Sequence, residues 1–158
     1  MNKPSKQSSP TGEGLESHLG FWMRFVSNHV SAEFKKRVEE NGVSVSEWVA
    51  LRQIFDHPTA TAATLQDTLG MTKGAISKIL TRLEQKDLLQ RVYQTQDKRA
   101  QHLSLTTAGK RLVPRLTRLA DDNDAHFFGH LTATERAALV HLLKDIVQRH
   151  NLKSVPVD

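Results

Sequence analysis

The stretch LLQRVYQTQDKRAQHLSLT, Leu88 to Thr106, decides how the rest of the chain is read. Leu103 and Leu105 alternate with polar His102 and Ser104, and Val92 and Tyr93 stand in the run before them. Such alternation is the period of a half-buried strand, because successive side chains on extended backbone point to opposite faces. The polar link between the two runs centres on Asp97-Lys98-Arg99, and a polar link containing Asp is turn chemistry. The stretch therefore predicts a β-hairpin with cations at its tip.

Immediately upstream, Thr72 is placed to N-cap a helix whose Ile76, Ile79, Leu80 and Leu83 recur at i, i+3, i+4, i+7. At about 100° per residue, the direction opposite this apolar stripe holds Gly74, Lys78, Thr81 and Gln85, with Ser77 and Arg82 on its flanks. A shorter helix, about Ala62 to Leu69, precedes it through Leu69-Gly70-Met71-Thr72, a short connection with the glycine that a helix-turn-helix needs. Helix, turn, helix and basic hairpin is the order of a DNA-binding winged helix-turn-helix. In that arrangement Lys78 and Arg82 meet guanine edges or phosphates, and Ser77 and Thr81 contact either. Thr72, Lys73 and Gly74 lie at the helix N-terminus, whose positive end suits a phosphate, and Gly74 would let the backbone approach it. Simple tolerance of a small residue in the first turn accounts for Gly74 equally well. At the hairpin tip Arg99 has the reach to enter a minor groove, while Asp97 fixes the turn and orients Arg99 or Lys98.

Charge supports the same segment. The chain has 158 residues and a formal net charge of +5. Met71 to Arg118 holds eleven basic and three acidic residues, a net +8, so the remainder carries −3. A positive excess concentrated on one segment is what phosphate binding by counterion release requires.

Outward from this lobe, Leu15, Leu19, Trp22, Val26 and Val30 recur at spacings of three and four to about Glu40, with Phe21 and Phe25 as a second apolar stripe. Asn41-Gly42 stops this long helix. Ser46 is expected to N-cap the next, which runs through Trp48, Leu51 and Phe55 to His57-Pro58. After the hairpin, Thr106 or Thr107 caps a long helix with Leu112, Leu116, Leu119 and Phe127 inward, ended by Gly129. A final helix, about Thr132 to His150, opens on the capping-box sequence Thr132-Ala-Thr-Glu135 and presents Leu139, Leu142, Leu143, Ile146 and Val147. The expected organisation is a disordered tail over 1–14, one domain over 15–150 and a second tail over 151–158. Within that domain 44–106 form the DNA-binding lobe, and 15–41 with 107–150 supply dimerisation helices. The fold class is mainly α with a small β-wing.

The segment Asp97-Lys-Arg-Ala100 followed by Leu103-Ser-Leu-Thr-Thr-Ala-Gly109, together with Leu69-Gly-Met-Thr-Lys-Gly-Ala-Ile-Ser-Lys78 and Arg82-Leu83-Glu84, resembles the MarR (multiple antibiotic resistance regulator) family. The resemblance spans nearly all of residues 15–150. It implies a homodimeric winged-helix transcription factor, commonly a repressor, whose first, fifth and sixth helices interlock between subunits. It also implies that Ser77, Lys78 and Arg82 face the major groove and that Arg99, supported by Asp97, serves the minor groove. Asp87 departs from the glycine usual in the family between recognition helix and wing, and Asp tolerates a left-handed backbone better than most residues. A dimer accounts for the apolar excess on the terminal helices and predicts a pseudo-palindromic operator with half-sites about 10 base pairs apart.

Relatives often bind small aromatic or amphipathic effectors, and Trp22, Phe25, His29, Trp48 and Arg52 combine aromatic walls with polar groups suited to such a ligand. Ordinary core or interface packing is the competing account of each. His126 and His130 stand at i, i+4 near Asp122 and Asp124, which raises a metal-responsive alternative, although two histidines are not a site; neither a metal nor a cofactor is expected. With no cysteine, no phosphate loop, no G-x-S-x-G and no HExxH, nothing suggests an enzyme. A winged helix used for protein or RNA contact is the remaining alternative. No apolar run is long enough to span a bilayer, and a cytoplasmic location is expected.

Overall fold

The computed structural model describes residues 14–93 and 101–153, and shows a mainly helical chain carrying one two-stranded antiparallel sheet. A single turn of 3-10 helix at Leu15–Ser17 precedes α1, Leu19–Glu39. His18 is extended between them, so the first helix is interrupted where an unbroken one was expected. Gly42 ends the turn after α1 at φ +84°, a region glycine enters without a Cβ penalty.

Helix α2, Val45–Asp56, is capped by Ser44 and not by Ser46. The cap is decided by the residue three positions on. Glu47 accepts the Ser44 N–H at 2.8 Å while its own N–H donates to Ser44 Oγ at 3.2 Å; Val49 could not return such a bond to Ser46. Helix α3, Ala62–Leu69, is capped by Thr61 and ends at Gly70 in the left-handed conformation, φ +63°. Thr72 then caps α4, Lys73–Gln85, by accepting from Ala75 N–H.

Strands β1, Leu89–Tyr93, and β2, Gln101–Leu105, pair in the register Leu89↔Leu105 through Tyr93↔Gln101. Leu89, Leu103 and Leu105 are buried, as the alternation requires. Thr106 caps α5, Thr107–Phe128, and Thr132 caps α6, Ala133–Arg149, with Glu135 completing a capping box. On α5 the fully buried positions are Val113 and Leu116; Leu112 and Leu119 pack at the edge of the core and Phe127 is half-buried, so the inward face is rotated slightly from the expected one.

One core joins α1's end, α2, α3, α4, the sheet and α5, centred on Val38, Leu51, Leu65, Leu69, Ile76, Leu80, Leu83, Leu103, Val113 and Leu116. The terminal helices are different. Leu19, Trp22, Phe25 and Val26 of α1 and Leu139, Leu142, Ile146 and Val147 of α6 are all exposed, and no residue of α6 is buried within the chain. No described helix is long and apolar enough to cross a membrane.

Candidate nucleic-acid interface

Helix α4 divides cleanly between core and solvent. Ile76, Ile79, Leu80 and Leu83 are buried, whereas Thr72, Lys73, Gly74, Ser77, Lys78, Thr81 and Arg82 are all exposed. The structure thus gathers seven of the residues chosen from sequence on one outward helical surface. A Cβ built on Gly74 meets nothing within 4 Å, so packing inside the chain does not demand glycine there. Asp97, Lys98 and Arg99 lie outside the described residues.

Cations of α2, α4, α5, β1 and the α4–β1 turn fall into two groups. Lys86 pairs with Glu47 at 2.7 Å, Arg91 with Glu84 at 2.9 Å, and Arg52 with Asp56 at 2.8 Å. Lys73, Lys78 and Arg82 take part in no ion pair among the described residues, and neither do Lys110, Arg111, Arg115 and Arg118 on the exposed side of α5. Among the described residues the outward face of α4 is therefore a set of uncompensated donors, the condition under which an external anion gains most.

The wing's base is held from three sides. Arg91 on β1 reaches Glu84 and ties the first strand to α4. Leu103 N–H donates to Ala60 O at 2.9 Å, so the α2–α3 loop lies against the outer edge of β2. Asp87 turns the chain from α4 into β1 at φ +56°, and its carbonyl accepts the Thr106 hydroxyl at 2.6 Å. Thr106 Oγ1 also accepts from Gly109 N–H, and a Cβ on Gly109 would come within 2.2 Å of Leu88 O. The Leu-Thr-Thr-Ala-Gly run is thus a clamp: its Thr closes the left-handed turn and its Gly allows α5 to pass against β1. The left-handed conformation anticipated at Asp87 is present. Sequence reasoning missed the roles of Lys86, Glu47 and Arg91; Glu47 alone carried a readable signal, as the third residue after Ser44.

The five effector candidates fall in two groups by their contacts among the described residues. Trp22, Phe25 and His29 make a ring stack along α1, with Phe25 and His29 centroids 4.6 Å apart and His29 Nδ1 against Phe25 O at 2.7 Å. Arg52 is taken up by Asp56 and by Thr117 Oγ1 at 2.9 Å. Trp48 is buried and lines a cavity of about 260 Å³ with Val30, Ser31, Phe34 and Asn123. No hydrogen bond or ring contact among the described residues joins the α1 group to the α2 group. At the other end, α5 stops at Phe128, before His130, and Asp124 is paired with Arg136. No group of three or more His, Asp or Glu among the described residues is arranged to hold a metal ion.

Comparison with known proteins bears on the same segment. Residues 43–100 match the family described as MarR family. The transcriptional regulator HosA of Escherichia coli O157:H7 is 27% identical over 101 residues, 64% of this chain and 75% of that protein. Among solved structures, a mutant of E. coli MarR complexed with operator DNA superposes with a TM-score of 0.71 at 25% identity, covering 82% of this chain and 93% of that one. Bordetella bronchiseptica BpsR, described in terms of regulation of its DNA binding by 6-hydroxynicotinic acid, has a TM-score of 0.72 at 21% identity, over 85% of this chain and 96% of its own, and shows likeness of fold alone.

Proposed function

We propose that the chain is a winged-helix transcriptional regulator of the MarR family, and not an enzyme, that binds a pseudo-palindromic operator as a homodimer and acts as a ligand-responsive repressor. One observation carries the DNA-binding reading. Lys73, Lys78 and Arg82 share the exposed face of α4 with Gly74, Ser77 and Thr81, and none of the three cations is paired with a carboxylate of the described chain. E. coli MarR, whose fold this chain shares, has been solved with operator DNA, which supports placing α4 in a major groove. The wing would then bring Arg99 to the adjacent minor groove, with Asp97 and Lys98 at its tip.

The homodimer is supported by the apolar surface of α1 and α6. Leu19, Trp22 and Val26 on α1 and Leu142 and Val147 on α6 are exposed apolar surface that the pairing of two chains would take out of water. Responsiveness to a small aromatic or amphipathic ligand is supported by the Trp48 cavity and by the exposed rings of Trp22 and Phe25. A location in the cytoplasm accords with the absence of cysteine and with this role.

Selection from random duplex DNA tests the reading. An inverted repeat should emerge, bound with an affinity that falls steeply with salt, by a slope near 0.9 per phosphate neutralised. Lys78→Ala and Arg82→Ala should each weaken binding by about 1–3 kcal/mol where the side chain reads a base, and relax preference at that base pair. Arg99→Ala should weaken operator binding without unfolding the protein. Recovery of no enriched sequence, with a flat salt dependence, would overturn the assignment.

A further inference from the structure

The end of the recognition helix is tied to the corner between α1 and α2 by a single side chain. Lys86 follows α4 directly, and its ammonium donates both to Glu47 Oε2 at 2.7 Å and to Gly42 O at 2.8 Å. Glu47 is nearly inaccessible, at 2% exposure, and the same Oε2 also accepts the Ser44 N–H that starts α2. A cleft of about 410 Å³, lined by Glu39, Gly42, Val43, Ser44, Glu47, Arg82 and Lys86, separates this corner from α4. Among the described residues, Lys86 is the side chain that hydrogen-bonds across it.

Geometry gives this bridge a consequence beyond stability. Helix α4 packs on α2, α3 and β1, while α1 carries the exposed apolar stripe assigned to the subunit contact. The pose of α4 relative to α1 sets where the two recognition helices of a dimer stand relative to each other. A one-base-pair change in half-site separation moves one half-site by about 3.4 Å and rotates it by about 35°. A buried carboxylate held by two ordered donors, the Lys86 ammonium and the Ser44 N–H, is a stiff anchor, because leaving it unpaired carries a desolvation cost.

We propose that Lys86 and Glu47 form a positioning latch that fixes the recognition helix against the α1–α2 corner, and that the protein's preference for one half-site spacing resides in this latch. The proposal rests on the operator reading above. Lys86 is a positioning residue here, and its ammonium is directed into the protein and not to a phosphate.

The test is a series of inverted repeats built from the selected half-site, with the spacing changed by one and two base pairs, bound by the full-length wild type and by Lys86→Met. The wild type should lose about tenfold or more per base pair of displacement, and Lys86→Met about threefold or less, because its recognition helices can adjust. Base preference within the half-site and the salt slope should be the same in both proteins. An unchanged spacing penalty in folded Lys86→Met overturns the latch. A salt slope reduced by about 0.9 per protomer also overturns it, by making Lys86 a phosphate contact. Failure of the operator reading looks different: the wild type itself then selects no repeat, and a wild type that binds repeats without regard to spacing leaves the latch nothing to set and refutes it. If Lys86→Met does not fold, Glu47→Gln serves, since the amide oxygen can still accept from Ser44 N–H while the charge is removed; it should flatten the spacing preference in the same direction.

Discussion

Asp87 and Gly109 show how much of the wing depends on single backbone positions. At φ +56° Asp87 occupies a region that costs an ordinary L-residue about 1–2 kcal/mol, and Asp is among the residues that bear it best. Asp87→Ala should therefore destabilise the protein by about 1 kcal/mol, and Asp87→Gly should leave stability unchanged or raise it, as read from urea unfolding midpoints. Gly109 faces the opposite demand. Alanine there would place a methyl 2.2 Å from the Leu88 carbonyl, so α5 must back away from β1. Gly109→Ala should cost about 1–3 kcal/mol, although alanine in an unconstrained helix would gain about 1 kcal/mol. An unfolding midpoint at or above the wild-type value would contradict the clamp. The first of these residues is legible in the sequence, because the family that the chain resembles places glycine at the corresponding turn. The second is not, since the carbonyl that Gly109 accommodates lies on another element and is brought near only by the fold.

At the scale of elements, the helices were readable wherever a cap and an apolar period agreed. Thr72 with the Ile76-Ile79-Leu80-Leu83 stripe, and Thr132 with Glu135, fall where the pattern puts them. Ser44 against Ser46 shows what decides between two good caps: only Ser44 has a glutamate three residues later. The inward face of α5 was less legible, because Leu, Val and Leu succeed one another closely and Asp and Asn carry no period; Val113 takes the central position. The α6 cap also makes a prediction in pH. The Thr132 backbone N–H, and after it the Thr132 hydroxyl, hold the Glu135 carboxyl below the usual carboxylate range. A depressed carboxylate stabilises the folded state above its ordinary pKa and loses that contribution as pH falls through the folded value. The difference in unfolding midpoint between wild type and Glu135→Ala should be present at neutral pH and vanish in acid below the carboxylate range. A difference that persists there would mean that the side chain acts by packing.

For the whole molecule, the charge asymmetry and the surplus of apolar residues on the terminal helices were plain in the sequence. The long-range ties were not. Lys86 with Glu47, and Arg52 with Thr117, join residues far apart in the chain whose types alone give no pairing. The exposure of the outward face of α4 was fully legible, because a helix's outward residues follow from its buried ones; the surroundings of the aromatic residues on α1 and α2 were not, because composition does not say which elements the fold brings together. If α1 and α6 form the subunit contact, Leu142→Asp or Val26→Asp should shift the sedimenting species from dimer toward monomer and abolish high-affinity operator binding, while the winged lobe keeps its secondary structure by circular dichroism. A dimer that survives both changes would place the contact elsewhere. One consequence of α6 burying nothing within its own chain remains. A helix of 17 residues without a core to lie on is marginal in water, so in the proposed dimer its ordering and the pairing of two chains would be a single equilibrium. Dilution would then act on this protein as a denaturant does. In the proposed dimer the amount competent to hold DNA would rise roughly with the square of the amount made while pairing is incomplete, so abundance would itself set occupancy.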